Sequence, residues 1–173
     1  MHPPRLKIDN KIYFLTICTY KRTQFFKNKY VGNIILESLN FCKDKFDLKI
    51  YAWVILYEHL HLLLQVNKGK DISNFLNSFK GFTGKIAKKL LNKDIKSFWQ
   101  EGTCDHIMRD EEDFKSHYDY IHYNPVKHGI VKKPENYLYS SFSQAVKKGY
   151  YEIGWGYKEP RNLDNLNSNN FGE

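Results

Sequence analysis

Residues 48–66 read LKIYAWVILYEHLHLLLQV, and the fold follows from how this stretch divides. Aromatic and β-branched residues fill Leu48 to Leu56, and a second apolar run fills His59 to Val66. Each has the length and composition of a strand. Only Tyr57 and Glu58 separate them, so the stretch is either a tight hairpin or one bent ribbon. Side chains alternate along a strand, so Leu60, Leu62 and Leu64 share the core face while His59 and His61 converge on the other.

Upstream, Ile12 to Thr19 reads as a strand and Tyr20 to Lys29 as a basic, aromatic connection. Between Val31 and about Lys43, Ile34, Ile35, Leu39 and Cys42 recur at helical spacing. Downstream, Asn67-Lys68-Gly69-Lys70 is a turn, and Asp71 stands where a helix N-cap belongs. Ile72, Phe75, Leu76, Phe79, Phe82, Ile86 and Leu90 then form a helical stripe, with Lys80, Lys85, Lys88 and Lys89 on the other faces. A fourth strand is expected within Phe98 to Met108. Glu111, Glu112 and Asp113 place negative charge at the positive end of a last helix. That helix should stop near Tyr123, because the residue before Pro125 disfavours helical dihedrals.

The order β-α-β-β-α-β-α predicts an α+β fold with helices covering one face of an antiparallel sheet. Residues 1–133 are expected to form this domain, and residues 134–173 a tail rich in Tyr, Lys and Gly, with disorder from Asn162 to Glu173.

The chain of 173 residues carries a net charge of +8 and is 16% aromatic. That mixture suits a polyanionic partner, nucleic acid before anionic membrane, since cations pair with phosphates and rings stack on bases. A lysine-rich background around an aromatic core explains the same numbers. Residues 1–7 lack the apolar run of a signal peptide, and the longest apolar run, Tyr51 to Tyr57, is too short to span a bilayer. Cys18, Cys42 and Cys104 are odd in number and form no CxxC pair, which suits a reducing compartment. A cytoplasmic protein with no membrane partner is expected.

Two motifs carry chemistry. His59 and His61 make half of a divalent-metal site, or a pair of solvated surface histidines. In YIHYNPVKHG, residues 120–129, Tyr120 and Asn124 lie four apart and share a helix face with Asp113 and His117. Tyr120 can equally be an amphipathic packing residue, and Asn124 a helix cap before proline. Together, two imidazoles and one amide oxygen would complete a three-ligand site with open positions beside Tyr120. A phenol is a poor nucleophile at neutral pH, so a cation polarising a phosphoryl group would help it. His122 and His128 read as structural or phosphate-facing.

The pair His59-Leu60-His61 matches the His-hydrophobic-His motif of the HUH single-strand endonucleases. Residues 120–129 resemble the signature of the REP-associated tyrosine transposases, a branch of the single-tyrosine transposases. Trp99-Gln100, Asp105-His106, Arg109 and Tyr139-Ser140-Ser141-Phe142 resemble flanking segments of that family, in the family's order. The resemblance implies a ferredoxin-like β-α-β-β-α-β core, followed by the catalytic helix, that cuts and joins single-stranded DNA near hairpins. It implies Tyr120 as the nucleophile of a 5′-phosphotyrosine intermediate, and His59, His61 and Asn124 as ligands of Mg²⁺ or Mn²⁺. Lys80, Lys85, His106 and Arg109 would hold DNA, and the protein would act as a monomer or homodimer. The family often has Pro-Asn where this chain has Tyr57-Glu58; on a regular strand Glu58 should point away from His59.

Two other functions fit the same residues. A non-catalytic hairpin-DNA or RNA-binding regulator needs only the basic and aromatic surface. A water-activating phosphodiesterase would use the metal ligands and leave Tyr120 structural.

Overall fold

The computed structural model describes residues 8–92 and 95–163. The elements are β1 (Ile12–Cys18), α1 (Lys29–Lys45), β2 (Lys49–Ile55), β3 (His59–Gln65), α2 (Asp71–Leu91), β4 (Cys104–Ile107), α3 (Glu111–Lys127) and a short α4 (Phe142–Lys147). The strands form one antiparallel sheet in the order β2-β3-β1-β4. This is the ferredoxin-like arrangement, with α3 following its last strand. Among the described residues, no helix is long and apolar enough to cross a membrane.

The stretch 48–66 is a hairpin. Leu56 N donates to His59 O at 2.8 Å, leaving only Tyr57 and Glu58 in the turn. Neighbouring segments take the turn's carbonyls: Thr19 N reaches Glu58 O at 2.8 Å and Phe26 N reaches Tyr57 O at 3.0 Å. Alternation is strict in the two central strands. Tyr13, Leu15 and Ile17 of β1 join Leu60, Leu62 and Leu64 of β3 in a core with Ile35 and Leu39 of α1 and Ile72, Phe75 and Phe79 of α2. The opposite face, with Phe14, Ala52, Val54 and Leu63, packs against Tyr120 and Ile121 of α3. The helices therefore cover both faces of the sheet, not one as the element order suggested.

Three local expectations are corrected. Asp71 is the first helical residue rather than the cap, and Lys70 precedes it without a side-chain capping bond. The stripe on α2 holds through Phe79 and then turns: Thr83, Gly84 and Ala87 are buried while Phe82 and Leu90 are exposed. Trp99 causes this. Its Nε1 donates to Thr83 Oγ1 at 3.0 Å, and a Cβ added at Gly84 would meet its ring at 3.4 Å, so only small residues fit beneath it. Helix α3 continues through Pro125 to Lys127. Proline removes one hydrogen bond, but its buried ring supplies packing, and the ladder resumes with His128 N to Asn124 O at 3.0 Å.

The segment from Pro134 to Leu163 packs on the domain. Tyr139 O accepts from Ile55 N at 2.9 Å, and Ser141 N donates to Trp53 O at 3.0 Å, which covers the β2 edge. The disorder expected for Asn162 to Glu173 does not begin at Asn162, whose Nδ2 donates to Asp119 Oδ2 at 2.8 Å, nor at Leu163, which is buried; from residue 164 onward the expectation lies outside the described residues. A buried polar chain ties this segment to α3. Trp53 N donates to Ser141 Oγ at 2.9 Å, and Ser141 Oγ lies 2.8 Å from His122 Nε2. His122 Nδ1 is 2.9 Å from Tyr151 Oη, which donates to Asp119 at 2.8 Å. His122 is thus structural.

Burial pushes the His122 imidazole down to about 3, so the chain holds it neutral. The unfolded chain binds that proton near pH 6.5, so the stability from neutral His122 is complete above that pH and is lost as pH falls toward 3. Between pH 7 and pH 5 this amounts to about 2 kcal/mol. Asp119, whose carboxyl burial pushes up, works in the opposite sense. Urea denaturation at the two pH values should show wild type losing stability on acidification, with most of that slope absent from His122→Gln.

Candidate active site

Register builds the first half of the site. On β3, His61 stands opposite Thr16 of β1 and His59 opposite Cys18, both imidazoles turned toward α3 and fully buried. Their Nε2 atoms lie 3.2 Å apart. His61 Nδ1 is 2.9 Å from Thr16 Oγ1. His59 Nδ1 is 3.0 Å from Glu58 Oε1. A carboxylate can only accept, so in neutral His59 the proton sits on Nδ1 and the Nε2 lone pair faces His61.

Glu58 is therefore not turned away from His59. It precedes the first residue of β3, in the hairpin turn, so strand alternation does not govern its side chain. The hydrogen bond from His59 is the main cause holding its carboxyl below the ordinary value, against the effect of burial. Arg22 Nη1 lies 3.4 Å from the same His59 Nδ1. The turn carrying it is strained, with Lys21 and Arg22 at φ 52° and 54°. The His128 ring stands 5.4 Å from that of His59.

Helix α3 supplies the second half. Asp110 caps it, its carboxylate accepting from Asp113 N at 2.8 Å. Tyr120, 3% exposed, sets its ring edge-on to His61 with centroids 5.5 Å apart. Phe14 fills the space beside them, 5.1 Å from the His61 ring and 6.1 Å from that of Tyr120. Asn124, fully buried, lies one turn further along the same face. Lys127 folds back along the helix and donates from Nζ to Tyr120 Oη at 3.1 Å.

A cluster of His106, Asp113 and His117 joins β4 to the start of α3. Asp113 Oδ2 accepts from His106 Nε2 at 2.8 Å, Arg109 Nε at 3.0 Å and Arg109 N at 3.1 Å. Burial pushes this carboxyl up, but the bonds from Arg109 and His106 outweigh it and hold it well below the usual range. His117 Nδ1 meets the Asp113 backbone carbonyl at 2.8 Å, which needs a proton on that nitrogen. The three side chains have a metal-like composition, but N–H donors already meet the carboxylate, so they serve as a hydrogen-bonded hub. His106 and Arg109, expected at DNA, both contribute to it; the remainder of the Arg109 side chain is exposed.

Lys80 and Lys85 line a groove of about 1030 Å³ between α2 and residues 96–103, with Lys88, Lys96 and Tyr20. Lys80 Nζ donates to the carbonyls of Gln100 and Gly102, both at 2.7 Å, and so pins one wall. The fold thus brings His59, His61 and Tyr120 together and sets the lysines apart. Glu58, Lys127 and Thr16 were missed as site residues. Only Lys127 left a signal, two helical turns after Tyr120; the others follow from a turn and from strand register.

The profile of the family described as Transposase IS200 like matches residues 7–124, a span that includes His59, His61, Tyr120 and Asn124. A Haemophilus influenzae relative named for the REP-associated tyrosine transposases is 32% identical over 154 residues, covering 84% of this chain and 87% of its own length. The REP-associated tyrosine transposase of Escherichia coli is 30% identical over 153 residues, covering 87% and 88%. Among solved structures, a REP-associated tyrosine transposase bound to a REP hairpin superposes with a TM-score of 0.76 at 28% identity, over 93% of this chain and 95% of that one. A close superposition on a solved member, a family profile spanning the paired histidines and the helix opposite them, and relatives aligned over most of their length agree: the chain belongs to the IS200-like transposases, in the REP-associated tyrosine transposase branch.

Proposed function

We propose that the protein is a single-stranded DNA endonuclease and strand transferase that cuts and rejoins DNA near hairpins. Tyr120 is the nucleophile, and the intermediate is a 5′-phosphotyrosine. The observation that carries this reading is the ring contact of Tyr120 with His61, whose Nε2 meets that of His59 at 3.2 Å. A binding module has no use for that juxtaposition. The solved relative bound to a REP hairpin supports a hairpin-bearing single strand as the substrate. The protein would act in the cytoplasm as a monomer or homodimer; its three free cysteines suit a reducing compartment.

The residues present suit a divalent cation. Two imidazole nitrogens converge closely enough to bind one ion, and each ring's other nitrogen is engaged, by Glu58 for His59 and by Thr16 for His61. Such outer partners orient metal-ligating histidines. His59, His61 and Asn124 would hold Mg²⁺ or Mn²⁺, with two imidazoles and an amide favouring the softer Mn²⁺. When bound, the ion would polarise the scissile phosphoryl group and stabilise the leaving oxygen. Tyr120 Oη then forms a bond to phosphorus as the P–O3′ bond breaks, which frees a 3′-hydroxyl and conserves the linkage energy for rejoining. The groove beside α2 is the proposed track for the DNA backbone, with Lys85 on its rim and Lys80 shaping its wall.

Three measurements check these assignments. Labelled hairpin-bearing single strands pooled from the flanking genome, incubated with protein and Mn²⁺, should yield a covalent band on a denaturing gel. The band should vanish in Tyr120→Phe and in His59→Ala; cleavage that survives Tyr120→Phe would instead make the protein a hydrolase. Titration of Mn²⁺ followed by electron paramagnetic resonance should show Glu58→Gln binding the ion about 10-fold to 100-fold more weakly. Lys85→Ala should weaken hairpin binding evenly across sequences and reduce the slope of log affinity against log salt by just under about 1.

A further inference from the structure

We infer that Lys127 is a catalytic residue, the cation that holds the Tyr120 oxygen and charge-stabilises it during attack on the phosphodiester. This rests on Tyr120 being the nucleophile. Lys127 Nζ donates to Tyr120 Oη at 3.1 Å and also lies 4.6 Å from the centre of the same ring. Both contacts come from one side chain seven residues further along α3, two helical turns away. Helical side chains lean toward the N-terminus, so a long, flexible lysine at that spacing reaches back over the tyrosine.

Burial gives the contact its significance. Tyr120 is 3% exposed, whereas Lys127 lies at the surface. A phosphate approaching the buried phenol from solvent thus meets the lysine ammonium beside the reacting oxygen. As attack proceeds, negative charge gathers on Tyr120 Oη while it nears a phosphodiester that is itself an anion. A fixed cation at hydrogen-bond distance offsets that repulsion and orients the oxygen lone pair. In the step, the Oη–P bond forms and the P–O3′ bond breaks. The phenol proton leaves to solvent, the departing O3′ takes up a proton, and Lys127 stays an ammonium throughout.

The test is single-turnover adduct formation at saturating hairpin-bearing DNA and Mn²⁺, with DNA affinity measured separately by fluorescence anisotropy. Lys127 is on the surface, so its substitution leaves the core untouched. Lys127→Met should slow adduct formation by about 100-fold while affinity stays within a few-fold of wild type, and Lys127→Arg should restore most of the rate. A Lys127→Met protein that reacts at the wild-type rate overturns the inference. So does one whose rate is restored simply by raising DNA concentration, which would make Lys127 an ordinary phosphate contact. Failure of Lys127→Arg to rescue would assign the effect to shape instead of charge and would overturn it equally. A wild-type protein that forms no adduct at all overturns the nucleophile assignment itself, and this inference with it.

Discussion

Strand β3 is covered on both faces and flanked by a partner strand on each side, and the rest of the molecule is arranged around that constraint. Leu60, Leu62 and Leu64 are buried against α1 and α2, each burial contributing about 1.5–3 kcal/mol. With those three side chains committed to one layer, alternation sends His59 and His61 into the other. A slip of one residue would drive two imidazoles into the apolar layer and bring leucines to the site, at the cost of desolvated polar atoms and lost packing. The geometry of the histidine pair is thus a consequence of how the leucines pack.

The other half of the site depends on where α3 is clamped. At its start, Asp113 gathers donors from His106 and Arg109 and so ties the helix to β4. Beside the β2 edge, His122 and Asp119 are tied through Ser141 and Tyr151 to the segment that follows the helix. Tyr120 lies between these clamps, pressed onto Phe14 and His61. Residues 134–163 thereby have two structural roles: they cover the β2 edge and hold α3.

The turn at Tyr57-Glu58 shows how a departure from a family pattern acquires meaning in three dimensions. Read as part of a regular strand, Glu58 belongs on the face opposite the histidines. In the hairpin it precedes the ladder, and its carboxylate turns back to His59 Nδ1. Thr16 does the same for His61 from the neighbouring strand. The two histidines thus receive their outer partners from different places in the chain.

Much of the architecture was legible in the sequence because periodicity is a local property of the chain. The period-two pattern of residues 48–66, the helical spacing before and after it, and the acidic residues opening α3 are written in neighbouring residues. They suffice for the element order, for the convergence of His59 with His61, and for the shared face of Tyr120 and Asn124. What they leave out is which surfaces meet. The stripe on α2 turns after Phe79 because Trp99, distant in sequence, needs small residues beneath it, and α3 passes Pro125 because buried packing outweighs a local dihedral preference. That α3 covers the second sheet face and that Glu58 reaches His59 were decided by tertiary structure alone. Contacts of that kind depend on strand register, turn geometry and side-chain reach in space, none of which a pattern along the chain encodes.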